Sequence, residues 1–190
     1  GSVVLAFTCS HVVSAGFDRI AVFKPLVGPI LLETNRTNDS YTVSIRSTIA
    51  GLPIPPVLAA MDIVFFVELV RNTTGEHIVP LKATMPEFVS GMNLIEDHIG
   101  IPVEQGATIS VTFAPAVADM KLVTENPSLW SYFEKDLQRQ LDAQVKDTPT
   151  TDRLRSTLHK LLPSGKHTAE HASQRLGLSK RTLQRQLTAE

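Results

Sequence analysis

Apolar residues recur at helical spacing in four stretches of the chain. From about residue 10 to residue 24 they fall three or four positions apart, and Pro25 ends the run because proline cannot continue a helix. Each of the other three stretches begins at a proline, whose fixed φ suits the first turn of a helix. We therefore predict further helices over residues 56–71, 86–99 and 127–141.

Apolar and polar residues alternate in the segments between these helices, which is the pattern of a strand with one buried face. The alternation is clearest over 41–46, and the turn residues Asn38 and Asp39 join it to an apolar segment at 30–33, which predicts a hairpin. Helices mixed with a hairpin and single strands indicate an α+β fold in which helices cover one sheet. The other predicted strands cover residues 77–83, 101–103 and 108–113.

The carboxyl-terminal residues have the spacing of a helix–turn–helix. Thr168 is of a type that commonly starts a helix, and Gly177 can end that helix because glycine adopts a left-handed backbone conformation at low cost. Ser179 can then cap a second helix. The small Ser173 allows the two helices to cross closely, and the apolar Leu183 can anchor the second one. We therefore predict a small all-α segment after the α+β domain.

The second of these helices separates apolar side chains from basic and amide ones. Leu183 and Leu187 lie four residues apart and can face inward together. Arginine and glutamine are the side chains that bind the edges of guanine and adenine in a major groove. The pattern predicts contact with duplex DNA, and the alternative is an ordinary helical hairpin with a charged outer face. The side chains left outward are Lys180, Arg181, Gln184 and Arg185.

A polar stretch at residues 144–151, with Pro149 between threonines, predicts the boundary between the two parts of the chain. Asp152 can cap a helix that runs to about Leu161 and ends at residues 163–165, which supplies the first member of a three-helix unit. The predicted domains are a large one at 1–146 and a partial DNA-binding one at 152–190.

The charges are distributed unevenly between these two parts. Residues 151–190 carry eight Lys or Arg and three Asp or Glu, a net charge of +5, whereas residues 1–150 carry ten and sixteen, a net charge of −6. A basic segment joined to an acidic body is typical of a nucleic-acid-binding module. The single cysteine fits a reducing compartment, no apolar run is long enough to span a membrane, and the start has no basic leader. We therefore expect a cytoplasmic protein without a membrane partner.

Two segments near the carboxyl terminus, 161–165 and 175–187, closely resemble the first helix–turn–helix of the AraC family of bacterial transcription regulators. The large domain is similar to the arabinose-binding-type domain of one subgroup of that family, over residues 26–45, 85–103 and 113–129. The resemblance implies a regulator that binds operator DNA and responds to a small-molecule effector, whose identity the family name does not give.

The match to the family motif also assigns roles to single side chains. It implies that Arg181, Gln184 and Arg185 contact bases and that Ser179 and Lys180 hold phosphates. The family's DNA-binding unit has two helix–turn–helix motifs, and this chain ends after the first. We therefore expect a truncated part of a longer regulator, and contact with RNA polymerase is an expectation for the full-length protein.

An acidic α+β body beside a DNA-binding segment is most simply a sensor, a dimerisation domain or both. The sequence has no ligand signature such as a glycine-rich phosphate loop, so neither an effector nor a cofactor is identified. The predicted helix over 127–141 is either a homodimer seam or a helix packed on its own sheet. The rival to the sensor is a constitutive oligomerisation or scaffold protein with a DNA-binding tail and no effector site. Candidate ligand-binding side chains are Tyr41, Arg46, His77 and Lys82.

Two groups of reactive side chains are not expected to form sites. Residues 9–11 place a thiol, a hydroxyl and an imidazole side by side, but neighbours on a helix point apart, so no nucleophile–base pair and no enzyme are predicted. His167 and His171 have the spacing of metal ligands on one helix face, with His159 nearby. No cysteine or paired acid completes such a site, so no metal is predicted.

Overall fold

The chain divides into two compact units, Gly1–Gln138 and Arg139–Glu190, and the division falls within a long helix. The computed structural model describes residues 2–147, 150–161 and 168–189. The first unit combines helices with a mixed sheet and the described part of the second is helical, so the predicted α+β fold is confirmed.

The first unit contains a five-stranded sheet. Its strands are β1 (Ile30–Arg36), β2 (Tyr41–Ser47), β3 (Lys82–Met85), β4 (Val103–Gln105) and β5 (Ile109–Phe113). Its helices are α1 (Ser2–Thr8), α2 (Val13–Phe23), α3 (Pro56–Thr74), α4 (Met92–Ile99) and the first part of α5 (Pro127–Asp147). Short 3-10 turns cover Lys24–Leu26 and Pro115–Asp119.

The sheet has the strand order β1-β2-β5-β3-β4. Strand β5 pairs antiparallel with both β2 and β3, whereas β3 and β4 are parallel. The hairpin predicted around Asn38 and Asp39 joins β1 to β2 and pairs Arg36 with Tyr41. Because β2 and β3 both run opposite to β5, they point in the same direction, and their carboxyl ends lie at the same end of the sheet.

One face of the sheet forms the core with α2 and α3. The rings of Phe7, Phe17 and Phe66, one from each of the first three helices, meet edge to face with centroids 4.8 and 5.7 Å apart. On the opposite face the same strands carry hydroxyl side chains, and Thr42 and Thr112 are hydrogen-bonded at 3.0 Å. The predicted alternation of buried and more exposed side chains is therefore confirmed on β2 and β5. The buried positions on β2 and β5 are Tyr41, Val43, Ile45, Ile109, Val111 and Phe113.

The strand predicted over 77–83 is wrong in its position. Strand β3 begins at Lys82, and residues 77–81 form a connection. Pro80 has no N–H for a strand ladder, and the carbonyl of Ile78 accepts a 2.8 Å hydrogen bond from Nε of Arg71 instead.

Two helix predictions also differ from the structure. Helix α4 begins at Met92 and not at Pro86, because Gly91 has a φ of 82° and interrupts the helical backbone before it. Helix α1 has no counterpart among the predictions, since its residues are apolar around most of its circumference and show no helical periodicity.

The described part of the second unit contains α6 (Thr150–Leu161), α7 (Ala169–Arg175) and α8 (Lys180–Ala189), and α6 contacts both later helices. Helix α6 begins at Thr150, so Asp152 lies inside the helix and the predicted cap at that residue is wrong. Helix α5 continues to Asp147, so the first residues of the predicted boundary stretch are helical. The predicted end of α6 at 163–165 lies outside the described residues. Within the described residues, no helix combines the length and apolar character needed to cross a membrane.

Candidate nucleic-acid interface

The corner between α7 and α8 is closed by backbone hydrogen bonds. The N–H of Leu178 donates to the carbonyl of Ser173 at 2.9 Å, and the N–H of Gly177 donates to the carbonyl of Gln174 at 3.1 Å. This is the Schellman arrangement, which requires a left-handed residue directly after the helix. Gly177 is that residue, with a φ of 67°. The corner therefore lies where the sequence places it.

Side chains cap the first turn of both helices. Oγ1 of Thr168 accepts a 3.3 Å bond from the N–H of His171, and Oγ of Ser179 accepts a 3.1 Å bond from the N–H of Thr182. The hydroxyl of Ser179 also lies 2.8 Å from Oγ1 of Thr182. The group that the resemblance assigns to a phosphate is thus engaged in starting α8.

The inner faces of α7 and α8 are apolar or small. Ala172, Ser173 and Leu183 are buried, and Leu187 is half-buried. The hydroxyl of Ser173 donates to the carbonyl of Glu170 at 3.0 Å, so this buried polar atom has a partner. Small side chains at the contact allow the close packing of α7 and α8 that the sequence predicts.

The outer face of α8 is formed by Arg181, Gln184 and Arg185. Gln184 and Arg185 follow Arg181 by three and four residues, so the three side chains lie on the same side of the helix. All three are exposed. Their side chains make no hydrogen bond or ion pair with any described residue. The face therefore presents two guanidinium groups and one amide with their donors free, which are the groups that bind base edges and phosphates.

Lys180 differs from its neighbours. It lies about a quarter of a turn away from the outer face of α8, and its Nζ is 2.5 Å from Oε1 of Glu170 at the start of α7. The hydrogen bond from Lys180, followed by a backbone N–H, lowers the pKa of the Glu170 carboxyl. The sequence predicts an outward Lys180 side chain without a partner. In the structure the side chain is outward, but it is paired with the carboxylate of Glu170.

Of the three histidines considered as metal ligands, only His171 has a described side chain. Its Nδ1 lies 2.9 Å from Oγ1 of Thr168, which places it in the capping turn of α7. His167 and the side chain of His159 lie outside the described residues.

Tyr41, a candidate ligand-binding residue in the first unit, belongs to the core. It is 2% exposed, and its ring lies 6.2 Å from that of Phe17. Burial, with a smaller contribution from the nearby Asp18, raises the pKa of its phenol. Its hydroxyl has no hydrogen-bond partner among the described residues. The side chain therefore faces the helices.

The other three candidates are exposed and are not brought together. Nε of Arg46 donates to Glu33 at 3.2 Å at the carboxyl end of β2. Lys82 begins β3 and pairs with Glu104 at 2.8 Å, at the opposite end of the sheet. His77 lies in the connection before β3. Arg46 lies in the lining of a cavity at its end of the sheet.

The reactive side chains at residues 9–11 have separate surroundings. Cys9 is buried. Oγ of Ser10 donates to the carbonyl of Ala6 at 2.8 Å, and the exposed His11 pairs with Glu125 at 2.9 Å. The three groups therefore engage different partners, as their adjacency in sequence suggests.

The first part of α5 packs within its own unit. Trp130 is buried, with its ring 5.9 Å from that of Phe23 and the guanidinium of Arg19 4.5 Å above the indole. Tyr132 on the same helix is 76% exposed. Trp130 therefore packs against α2, a contact that differs from both predicted arrangements of this helix, the homodimer seam and packing on the sheet.

No protein-family model matches the chain, and no curated protein matches it. Among solved structures it is similar to the transcriptional regulator CdpR from Pseudomonas aeruginosa, with a TM-score of 0.55 and 16% sequence identity. The match covers 100% of this chain and 62% of that chain. The likeness shows a shared fold, and the chain spans 62% of the length of the solved regulator.

Proposed function

We propose that this chain is part of a bacterial, ligand-responsive transcription regulator of the AraC type. The second unit binds specific DNA sequences, and the first senses a small molecule. The observation that carries the proposal is the exposed face of α8, where Arg181, Gln184 and Arg185 are free of partners among the described residues. A helix with such a face after a glycine corner is the element that helix–turn–helix proteins place in a major groove.

The charge distribution and the fold support this function. A net charge of +5 over residues 151–190 attracts the phosphate backbone, while the net charge of −6 over the rest of the chain keeps that part away from it. The solved structure that shares the fold is described as a transcriptional regulator. In this proposal the protein acts in the cytoplasm as a homodimer, and the full-length protein contacts RNA polymerase.

The exposed side chains have two different roles. Arg181, Gln184 and Arg185 bind base edges, so they determine which sequence is preferred. Lys180 and Ser179 hold phosphates, so they set the strength of binding to any sequence. Lys180 must exchange the carboxylate of Glu170 for a phosphate when DNA is present.

The test begins with selection of a preferred duplex from a random library by the 190-residue chain at low salt. Fluorescence anisotropy then gives the affinity for that duplex and for a scrambled one at two salt concentrations. We expect Arg185→Ala to lower the discrimination between them about tenfold or more, since a base-reading arginine contributes roughly 1–3 kcal/mol. Lys180→Ala should weaken both duplexes alike and reduce the salt slope by about one.

Arg36→Ala is the matched control, because it removes the same charge from an exposed arginine of the first unit. It should leave both the discrimination and the salt slope unchanged. Failure to enrich any sequence contradicts the proposal, as does a discrimination that is the same in Arg185→Ala and Arg36→Ala.

The alternative function is that of a constitutive oligomerisation or scaffold protein with a DNA-binding tail, which has no effector site. A cavity of about 350 Å³ in the first unit favours the sensing function, since small-molecule sites generally have volumes of about 300–1,000 Å³.

A further inference from the structure

The cavity of about 350 Å³ lies at the end of the sheet where β2 and β3 finish and β5 begins. The register places Ile45 beside Ile109 and Thr84 beside Ser110 at this end. The segments that follow β2 and β3 reach this end of the sheet on either side of β5, and they supply the prolines of the lining.

The walls of this cavity are apolar and stiff. Proline has a fixed φ and no N–H, so a wall made of prolines presents hydrocarbon and offers few donors. Such a wall also needs little ordering when a ligand binds, which lowers the entropic cost of binding. The four prolines in the lining are Pro53, Pro55, Pro56 and Pro86.

The lining of this apolar cavity includes one cationic residue, Arg46. Nε of Arg46 donates to Oε2 of Glu33 at 3.2 Å, which fixes one edge of the guanidinium. Its terminal nitrogens, Nη1 and Nη2, make no hydrogen bond with any described residue. These two nitrogens form a planar fork whose spacing matches the two oxygens of a carboxylate. Arg46, whose guanidinium fork is not hydrogen-bonded to any residue that the structure describes, and the four prolines therefore line one cavity.

Two carboxylates limit how much negative charge the site accepts. Glu33 already offsets part of the charge of Arg46, and Glu87 is in the lining beside Pro86. A ligand with a second carboxylate would bring like charges together at short range, which is unfavourable. The balance of one free cationic fork and these carboxylates suits a ligand with a single negative charge.

We propose that this cavity binds a small monocarboxylate with an apolar body, whose carboxylate is held by Arg46 and whose hydrocarbon part lies against the prolines. A water molecule occupies about 30 Å³ in the liquid, so the volume accommodates roughly a dozen non-hydrogen atoms. As an effector site it rests on the proposed sensing function and narrows it to one ligand class.

The test measures binding of octanoate, octanamide and suberate to the 190-residue chain by isothermal titration calorimetry. The three probes share an eight-carbon body and carry one, no and two carboxylate charges. We expect octanoate to bind at least tenfold more tightly than either of the others, since a hydrogen bond to a charged group contributes roughly 1.5–3 kcal/mol. Equal affinity for octanoate and octanamide, or for octanoate and suberate, would overturn the proposal.

Variants distinguish the contribution of the Arg46 guanidinium from that of the apolar cavity. Arg46→Gln should lower octanoate affinity about tenfold or more, and Arg46→Lys should recover only part of it because an ammonium lacks the planar fork. Ala107→Trp should abolish binding by filling the cavity from an exposed position of its lining. Arg36→Gln is the matched control, since Arg36 is also an exposed, ion-paired arginine but does not line the cavity. An Arg46→Gln protein that binds octanoate as the control does contradicts the inference.

DNA binding provides an independent readout. If the chain selects a DNA sequence but binds none of the three probes, the proposed regulator function is supported and the proposed ligand site is refuted. If the chain binds octanoate through Arg46 but selects no DNA sequence, the proposed ligand site is supported and the proposed regulator function is refuted.

Discussion

Gly177 determines at a single residue how α7 is joined to α8. Its left-handed backbone allows the N–H groups of residues 177 and 178 to turn back onto the last carbonyls of α7. Among the residues that the structure describes, no atom beyond its two chain neighbours lies within 4 Å of where its Cβ would be. The requirement for glycine is therefore conformational and does not come from packing.

Gly177→Ala should destabilise the second unit by about 1 kcal/mol, because an L-residue with a side chain is strained in the left-handed region. Gly177→Asn should cost less, since asparagine enters that region more readily. Thermal unfolding followed by far-UV circular dichroism measures both. Equal stability of the alanine and asparagine variants would show that the glycine conformation is not the reason for this residue.

At this scale the sequence predicts the corner well, because caps and turns depend on neighbouring residues. Thr168, Gly177, Ser179 and Leu183 all have the roles expected of them. The sequence does not predict that Lys180 is paired, since its partner is ten residues earlier and reaches it only after the corner has formed.

Between elements, Arg71 connects the end of α3 to the end of α4. Its side chain is 11% exposed, and its nitrogens donate to the carbonyls of Ile78, His98 and Ile99 at 2.8, 2.9 and 3.1 Å. Two of these are carbonyls at the carboxyl end of α4, where a positive charge is favourable. One guanidinium thus satisfies three backbone acceptors from two segments.

Arg71→Gln should destabilise the first unit by about 3 kcal/mol, because it removes charged hydrogen bonds and leaves partly buried carbonyls without partners. Arg36→Gln is the control at an exposed arginine that pairs with Asp119, and it should leave the free energy of unfolding nearly unchanged. Chemical denaturation followed by tryptophan fluorescence gives both values. A similar loss in the two variants would contradict the role of Arg71.

Element predictions succeed where periodicity and turn chemistry agree. The hairpin of β1 and β2 has both alternation and turn residues, and it forms where predicted. The strand predicted over 77–83 has apolar residues but contains Pro80, and its carbonyl at Ile78 bonds to Arg71 instead. Long-range acceptors of this kind leave no periodic signal in the sequence.

The whole molecule consists of two units of unequal size and opposite charge. The single tryptophan, Trp130, belongs to the first unit, where it packs on Phe23. Its fluorescence therefore reports the first unit, whereas circular dichroism reports the helices of both.

We expect the two signals to change at different temperatures. A unit of roughly fifty residues buries a smaller fraction of its surface than a larger one, so the second unit should unfold first. Circular dichroism should show this lower transition, and Gly177→Ala should lower it further without moving the fluorescence transition. Coincident transitions in the wild-type chain and the variant would show that the two units unfold as one.

At the scale of the whole chain, charge and composition predict a basic helical unit after an acidic α+β body. They do not predict the cavity, because its lining comes from three regions far apart in sequence, 45–59, 86–87 and 107–109. Arg46 is a candidate from its position on a strand, whereas Pro55 and Glu87 are not among the candidates that the sequence provides.

The proline-lined wall has a consequence for protein engineering. Its shape is fixed by backbone that few side-chain changes can disturb, while the polar groups at its mouth, Arg46 and Glu87, and the small Ala107 are exposed. Libraries limited to these three positions would therefore alter ligand preference with little loss of folding. Under the proposed sensing function, the first unit is a starting scaffold for biosensors with new specificities.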